Sequence, residues 1–303
     1  MLGPKIKNTV HGWIILDKPK GLTSTQALGK ARRVMGGKKV GHGGTLDPLA
    51  TGILPLAFGE ATKLVPHVMD SDKEYEFSIR WGESRTTDDA EGAILETSNK
   101  RPSEADIRAA LPDFIGTISQ VPPIFSAIKM QGERAYDRAR AGAKVELAAR
   151  PVIIHNFEYL SSPNQDHALF RVHCGKGTYV RSLARDLAEK LGTYGHVAQL
   201  RRTRVGSFKV EDAISLESLE QLGHKGDALT ALRAMRQALD DIPALDLTAT
   251  EAQRLRAGQS ILIRPPHNDL IEAALIFAEF QGVPVALIAP KAGEFRVVRG
   301  FQF

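Results

Sequence analysis

The sequence predicts an α+β chain in two parts, a mixed helix-and-strand domain followed by a small strand-rich one. Three observations carry this. Lys73 to Trp81 alternates Tyr75, Phe77, Ile79 and Trp81 against charged or polar neighbours, the period of a half-buried strand. After Thr178, residues Val180, Leu183, Ala184, Leu187, Ala188 and Leu191 recur at helical spacing, with Gly192 where a C-terminal cap belongs. Beyond Pro243, short apolar runs alternate with turn residues.

The remaining elements follow in order. Trp13 to Leu16 is a short apolar strand leading into the turn Asp17-Lys18-Pro19-Lys20-Gly21. A helix capped by Thr23 or Ser24 follows, with Ala27, Leu28, Ala31 and Val34 at helical spacing before Gly36-Gly37. Ile53 to Phe58 is apolar, and Glu60 to Met69 can form a helix. Ser103 to Leu111 opens with a capping pattern and closes at Pro112. Val152 to Leu160 and Ala168 to His173 read as paired strands around a polar connection, Ser161 to Asp166. Val197 to Val210 is a basic strand or strand pair, and two short helices fit between Ser215 and Leu239. A boundary falls near Ile242 to Leu247. Past it come a helix from Thr248 to Ala257 and strand-like runs at 261–263, 270–277, 283–288 and 295–298. The basic, glycine-punctuated stretch of about 125–150 suits a mobile surface segment, either a solvated linker or an RNA-contacting arm.

Composition narrows the function classes. The chain has 303 residues, 43% hydrophobic and 25% charged, enough to bury a core and unlike a disordered chain. Forty Lys and Arg against 35 Asp and Glu give a net charge of +5, a mild bias toward polyanionic partners. Cys174 is the single cysteine, so there is no disulfide and no cysteine zinc cluster, and its apolar surroundings suit a small buried hydrophobe. No apolar run approaches a membrane span and the N-terminus lacks an apolar signal core, so a cytoplasmic protein is expected.

The chemistry concentrates in the glycine-rich segment around His42 and Asp47. Gly41, Gly43, Gly44 and Gly52 allow the backbone unusual conformations and close approach to a ligand, while Pro48 biases Asp47 toward extended geometry on a stiff loop. On these residues alone Asp47 is either a catalytic carboxylate or an Asx-turn residue. The loop has neither a Walker A ending nor dinucleotide-binding spacing.

The segment Gly41 to Lys63, GHGGTLDPLATGILPLAFGEATK, resembles the catalytic block of the TruB family of pseudouridine synthases, which modify uridine 55 in the tRNA T loop. Four more stretches match in family order: GWIILDKPKG at 12–21, Lys73-Glu74-Tyr75, Gly177-Thr178-Tyr179-Val180-Arg181, and Leu200-Arg201-Arg202. The resemblance covers the chain to about residue 210. It implies a pseudouridine synthase fold: a catalytic domain over 1–244 around a large, mainly antiparallel mixed sheet, and a small β-rich, PUA-like RNA-binding domain over 245–303. The basic stretch of about 125–150 falls where the family has an insertion that closes on RNA. The implied partner is tRNA through its T stem-loop, bound by a monomer with no cofactor, metal or membrane.

By the same resemblance Asp47 is the catalytic carboxylate, Arg181 its guanidinium partner, and Tyr75 a ring stacked on the target uracil. His42, Thr45, Tyr179, Leu200 and Asp89 become substrate contacts, and Lys18, Lys20, Lys63, Arg201 and Arg202 phosphate contacts. The residues by themselves also permit blander roles: Arg181 on a helix surface, Tyr75 and Leu200 in the core, His42 on a backbone carbonyl, Asp89 in a turn. Two other function classes use part of this surface. One is a non-catalytic RNA binder or folding chaperone, the other a carboxylate-dependent N-glycosidase that releases the base.

Overall fold

The computed structural model describes residues 10–126, 129–130, 133–134, 147–239, 241–265 and 267–303. Much of the basic stretch at 125–150 therefore lies outside the described residues. In chain order the first part supplies strands β1 (Gly12–Lys18), β2 (Val40–His42), β3 (Thr51–Phe58), β4 (Lys73–Trp81), β5 (Glu83–Arg85), β6 (Ile94–Thr97) and β7 (Gly116–Gln120). There follow β8 (Lys129–Met130), β9 (Glu133–Arg134), β10 (Arg150–Asn164), β11 (His167–Cys174), β12 (Gly195–Val205), β13 (Phe208–Lys209) and β14 (Ile214–Ser215).

Ten of these strands make one sheet, ordered β14-β1-β3-β12-β4-β11-β10-β7, with β2 on β3 and β13 on β12. Only β1/β14 and β3/β12 run parallel. The sheet is thus mixed and mainly antiparallel, as expected. β1 shows why it is covered on both faces: Ile14 and Leu16 enter one apolar cluster, Trp13 and Ile15 another. The first cluster also takes Ala27 and Ala31 of the helix Ser24–Met35 and Leu183, Ala184 and Leu187 of the helix Val180–Lys190. Both helices flank the same side of the sheet. Thr23 caps the earlier one with a reciprocal Gln26 bond, worth about 1 kcal/mol, and Gly36 ends it in the left-handed region.

The second part has its own five-stranded sheet: β15 (Ala244–Asp246), β16 (Ile261–Leu262), β17 (Ile276–Phe280), β18 (Val283–Lys291) and β19 (Glu294–Gly300), ordered β15-β17-β18-β19-β16. Phe277, Leu287 and Phe301 reach from it into the cluster of Trp13, Ile15 and Ile53. Among the described residues no helix is long and apolar enough to cross a membrane.

Several expectations are corrected. The helix expected at 60–69 is a 3-10 segment, Gly59–Leu64, followed by a short α-helix, Val65–Asp70, because Pro66 lacks the N–H that would continue one ladder. The strand expected at 270–277 is a 3-10 turn, His267–Glu272, with the strand beginning only at Ile276. The connection at 161–166 is mostly strand, since β10 runs on to Asn164. After the helix Leu216–Lys225, the second expected helix is a pair of 3-10 turns, Ala228–Ala231 and Met235–Leu239.

Candidate active site

Asp47 lies on the loop from β2 to β3, and burial on either side makes that loop stiff. Leu46, Leu49 and Ala50 are almost wholly buried, leaving Asp47 and Pro48 as the part that looks outward. Ser24, buried at the start of its helix, clasps Leu46: the Leu46 N–H donates to Ser24 Oγ (2.8 Å), and that hydroxyl donates to the Leu46 carbonyl (3.0 Å). The Gly21 N–H donates to the Pro48 carbonyl at 2.8 Å. Lys18 works from beneath. It is fully buried, and its ammonium donates to the carbonyls of Pro19 (2.9 Å), Leu22 (2.7 Å) and Pro48 (3.5 Å). Burial brings its pKa down to about 8, opposed by the nearby Asp47 and Glu91 carboxylates.

Arg202 holds the other side of the loop. Only 1% exposed, it donates from Nε to the Ile53 carbonyl (2.8 Å) and from Nη2 to the Gly44 carbonyl (3.0 Å). Gly52 makes this approach possible. Its φ is +98°, and a Cβ there would overlap the backbone of Arg202, its register partner in the parallel β3/β12 pair.

The carboxylate meets its partner at the first turn of the helix Val180–Lys190. Arg181 Nη2 is 3.0 Å from Asp47 Oδ2, with the guanidinium side chain 6% exposed and the carboxylate 38% exposed. Arg181 also donates from Nη1 to the Thr87 carbonyl (2.9 Å) and from Nη2 to the Phe125 carbonyl (3.0 Å), and its Nε lies 3.7 Å from Asp89 Oδ2. The buried cation is thus fixed on all sides while the anion keeps an open face. Such an arrangement fixes the orientation of the carboxylate and leaves part of it accessible.

Tyr75 lies on β4, opposite Arg202 on β12. Burial pushes its phenol above the ordinary value, against the pull of the Arg202 charge. The phenol therefore stays protonated near neutral pH. Burial and the Arg202 charge both lower the pKa of His42, keeping its imidazole neutral. His42 Nδ1 is buried with no hydrogen-bond partner among the described residues. Burial likewise pushes Cys174 up to about 12, in keeping with an inert thiol.

The other expected contacts divide. Lys20 is exposed and lines a groove of about 310 Å³ with Leu49, Thr51, Leu200 and Arg201. Arg201 forms a two-point ion pair with Asp17, at 2.7 and 3.0 Å. Thr45 is exposed, and Tyr179 immediately precedes the Arg181 helix with Arg150 over its ring at 5.1 Å. Four others are engaged within the protein. Lys18 and Arg202 are buried with their donors on loop carbonyls, so they hold the loop. Lys63 is taken up by Glu60 (2.5 Å) and the Gly300 carbonyl (2.7 Å), which fastens the second domain. Asp89 is 3% exposed, accepts from Thr87 Oγ1 (2.5 Å) and the Glu91 N–H (3.0 Å), and lies behind Arg181 at 3.7 Å. Sequence reasoning passed over Ser24, whose only signal was that of a helix cap.

Comparison with known proteins decides the family. The chain matches the model of the TruB family pseudouridylate synthase N-terminal domain over residues 32–180 and that of the tRNA pseudouridylate synthase B C-terminal domain over 181–242. The chain belongs to the TruB family of pseudouridine synthases. This TruB-family chain is an isomerase by that membership. It is 50% identical over 301 residues to tRNA pseudouridine synthase B of Caulobacter vibrioides, covering 97% of each chain. It is 54% identical over 263 residues to the Bradyrhizobium diazoefficiens protein of the same name, covering 85% of this chain and 76% of that one. Among solved structures it resembles a chain of a Cbf5-Nop10-Gar1 complex, with TM-score 0.73 and 26% identity over 96% of this chain and 85% of the other. The mixed sheet and the β-rich second part are thus those of the pseudouridine synthase fold.

Proposed function

We propose that this TruB-family member converts uridine to pseudouridine at position 55 in the T loop of tRNA, with Asp47 as the carboxylate that stabilises or captures the ribose. The observation that carries this is the Arg181–Asp47 pair at 3.0 Å, in which the cation is buried and the anion is partly exposed. The isomerisation breaks the N1–C1′ bond, turns the uracil and forms a C5–C1′ bond. N1 gains a proton and C5 loses one, so the atoms balance without an oxidant. Tyr75 stacks on the flipped uracil, and His42 and Leu200 border it. Lys20 and Arg201 meet the backbone, where phosphate contacts help offset the few kcal/mol of unstacking. The names of the relatives at about half identity support tRNA as the substrate. The second domain adds RNA contacts of its own in this reading.

The deciding experiment incubates a T-arm RNA, tritiated at uracil C5, with the protein. Release of tritium together with a chemically detected pseudouridine is expected. An abasic ribose would assign a glycosidase instead, and RNA bound without either product would assign a chaperone.

A further inference from the structure

Gln120 is the last residue of β7 and is fully buried. Both ends of its amide go to one residue: Nε2 donates to the Tyr179 carbonyl (3.2 Å), and the Tyr179 N–H donates to Oε1 (2.9 Å). Tyr179 is where the helix Val180–Lys190 starts, and no side chain of the helix itself caps that start. The amide therefore sets the entry of the chain into the helix from outside. The next residues extend the attachment. The Val121 carbonyl accepts from Ser182 Oγ (2.8 Å) and from Arg185 Nη2 (2.9 Å). The Phe125 carbonyl accepts from Arg181 Nη2, the same nitrogen that faces Asp47 Oδ2. That nitrogen donates to a carbonyl of the 120–125 segment while lying 3.0 Å from the carboxylate of the loop.

We propose that Gln120 is a positioning residue for the reaction, acting through the Arg181–Asp47 pair. The inference rests on reading that pair as the reaction centre. Gln120 touches neither Asp47 nor the cleft, so its effect travels through the placement of the helix. A shift of about 1 Å in a catalytic group can cost about a hundredfold in rate. Two hydrogen bonds at the base of a helix control a displacement of that size.

The test is a double-mutant cycle on single-turnover rate, with T-arm RNA affinity and melting temperature measured for every variant. Gln120→Met keeps the volume and removes the amide. It is expected to slow the chemical step roughly 10- to 100-fold with RNA affinity unchanged. In an Arg181→Lys background, whose own rate is already low, Gln120→Met should add little, because the pair it serves is already disturbed. Losses that multiply, a rate unchanged in Gln120→Met, or a parallel fall in affinity would each overturn the proposal. Ser182→Ala removes one strap and is the milder probe should Gln120→Met not fold. A smaller fall with the same lack of additivity is expected, and an untouched rate would overturn the mounting. A full rate in Arg181→Lys alone would instead sink the reading of the pair as the reaction centre.

Discussion

At the scale of single residues the proposed site separates an accessible carboxylate from the buried groups that hold its loop. Asp47 combines an open face with a buried partner, so Asp47→Asn should bind T-arm RNA almost as before and form no pseudouridine. Filter binding beside product analysis checks this, and full turnover would exclude the assigned role. Removing Arg181 outright is a poorer probe, because it also takes the guanidinium neighbour at 3.7 Å from the buried Asp89 carboxylate. Arg181→Lys keeps the charge and loses the fork. Lys18 gives a pH signature with a definite sign. Its folded pKa of about 8 lies below the ordinary 10.5, so between those values the unfolded chain holds a proton that the folded chain lacks. Stability should then rise with pH across that window, while below about 8 the cost of the buried charge is present in full. Relative to Lys18→Met, which has no such proton, the wild type should gain on the order of 3 kcal/mol between pH 8 and 10.5. Denaturant unfolding at stepped pH measures it, and a flat difference would show that Lys18 titrates normally. The pairing of Asp47 with Arg181, 3.0 Å apart in the structure, was legible through the family resemblance because each residue sits in a sharp local motif. The holding roles of Lys18, Arg202 and Asp89 were not, since a basic or acidic letter looks the same whether it faces a phosphate or a buried carbonyl.

At the scale of elements, what could be read depended on periodicity. β4 was read at its observed bounds because alternation over Lys73–Trp81 admits no other period. The helix Val180–Lys190 was equally plain. The runs at 60–69 and 270–277 misled because apolar content alone does not separate a 3-10 turn from a helix or strand. β5 and β6 escaped notice: the ribbon they form is short and partly exposed, with little apolar contrast. The close pairing of β3 with β12 is invisible in sequence yet braces the Asp47 loop. Gly52→Ala should force the two strands apart, since the new Cβ overlaps the Arg202 backbone and φ is positive. A loss of roughly 2 kcal/mol or more is expected, with a slower reaction as the Asp47 loop loosens. A melting curve and a rate measured on the same sample check both. An unchanged melting temperature would mean that the strands yield without cost.

At the scale of the whole molecule the two sheets share a core. Phe277 of the second sheet is wholly buried beside Trp13 and Ile15 of the first. Phe277→Ala should cost about 3–5 kcal/mol and lower the stability of the catalytic part as well as its own. Trp13, whose indole N–H donates to the Met235 carbonyl at 3.3 Å, reports on this junction by fluorescence during unfolding. One cooperative transition is expected, and two separate ones would mean that the parts are independent. The junction is also pinned at its rim. Glu60 Oε2 accepts the Gln302 N–H at 2.8 Å and Lys63 holds the Gly300 carbonyl, both from the stretch of chain that begins with the Asp47 loop. For anyone recombining such enzymes, this ties a crossover point to a distant partner. A hybrid that exchanges residues 245–303 inherits a foreign counterpart for Glu60 and Lys63, so the 3-10 segment and the tail must travel together. A conspicuous signature is then a composite, with one end in the proposed reaction centre and the other in the assembly of the molecule itself.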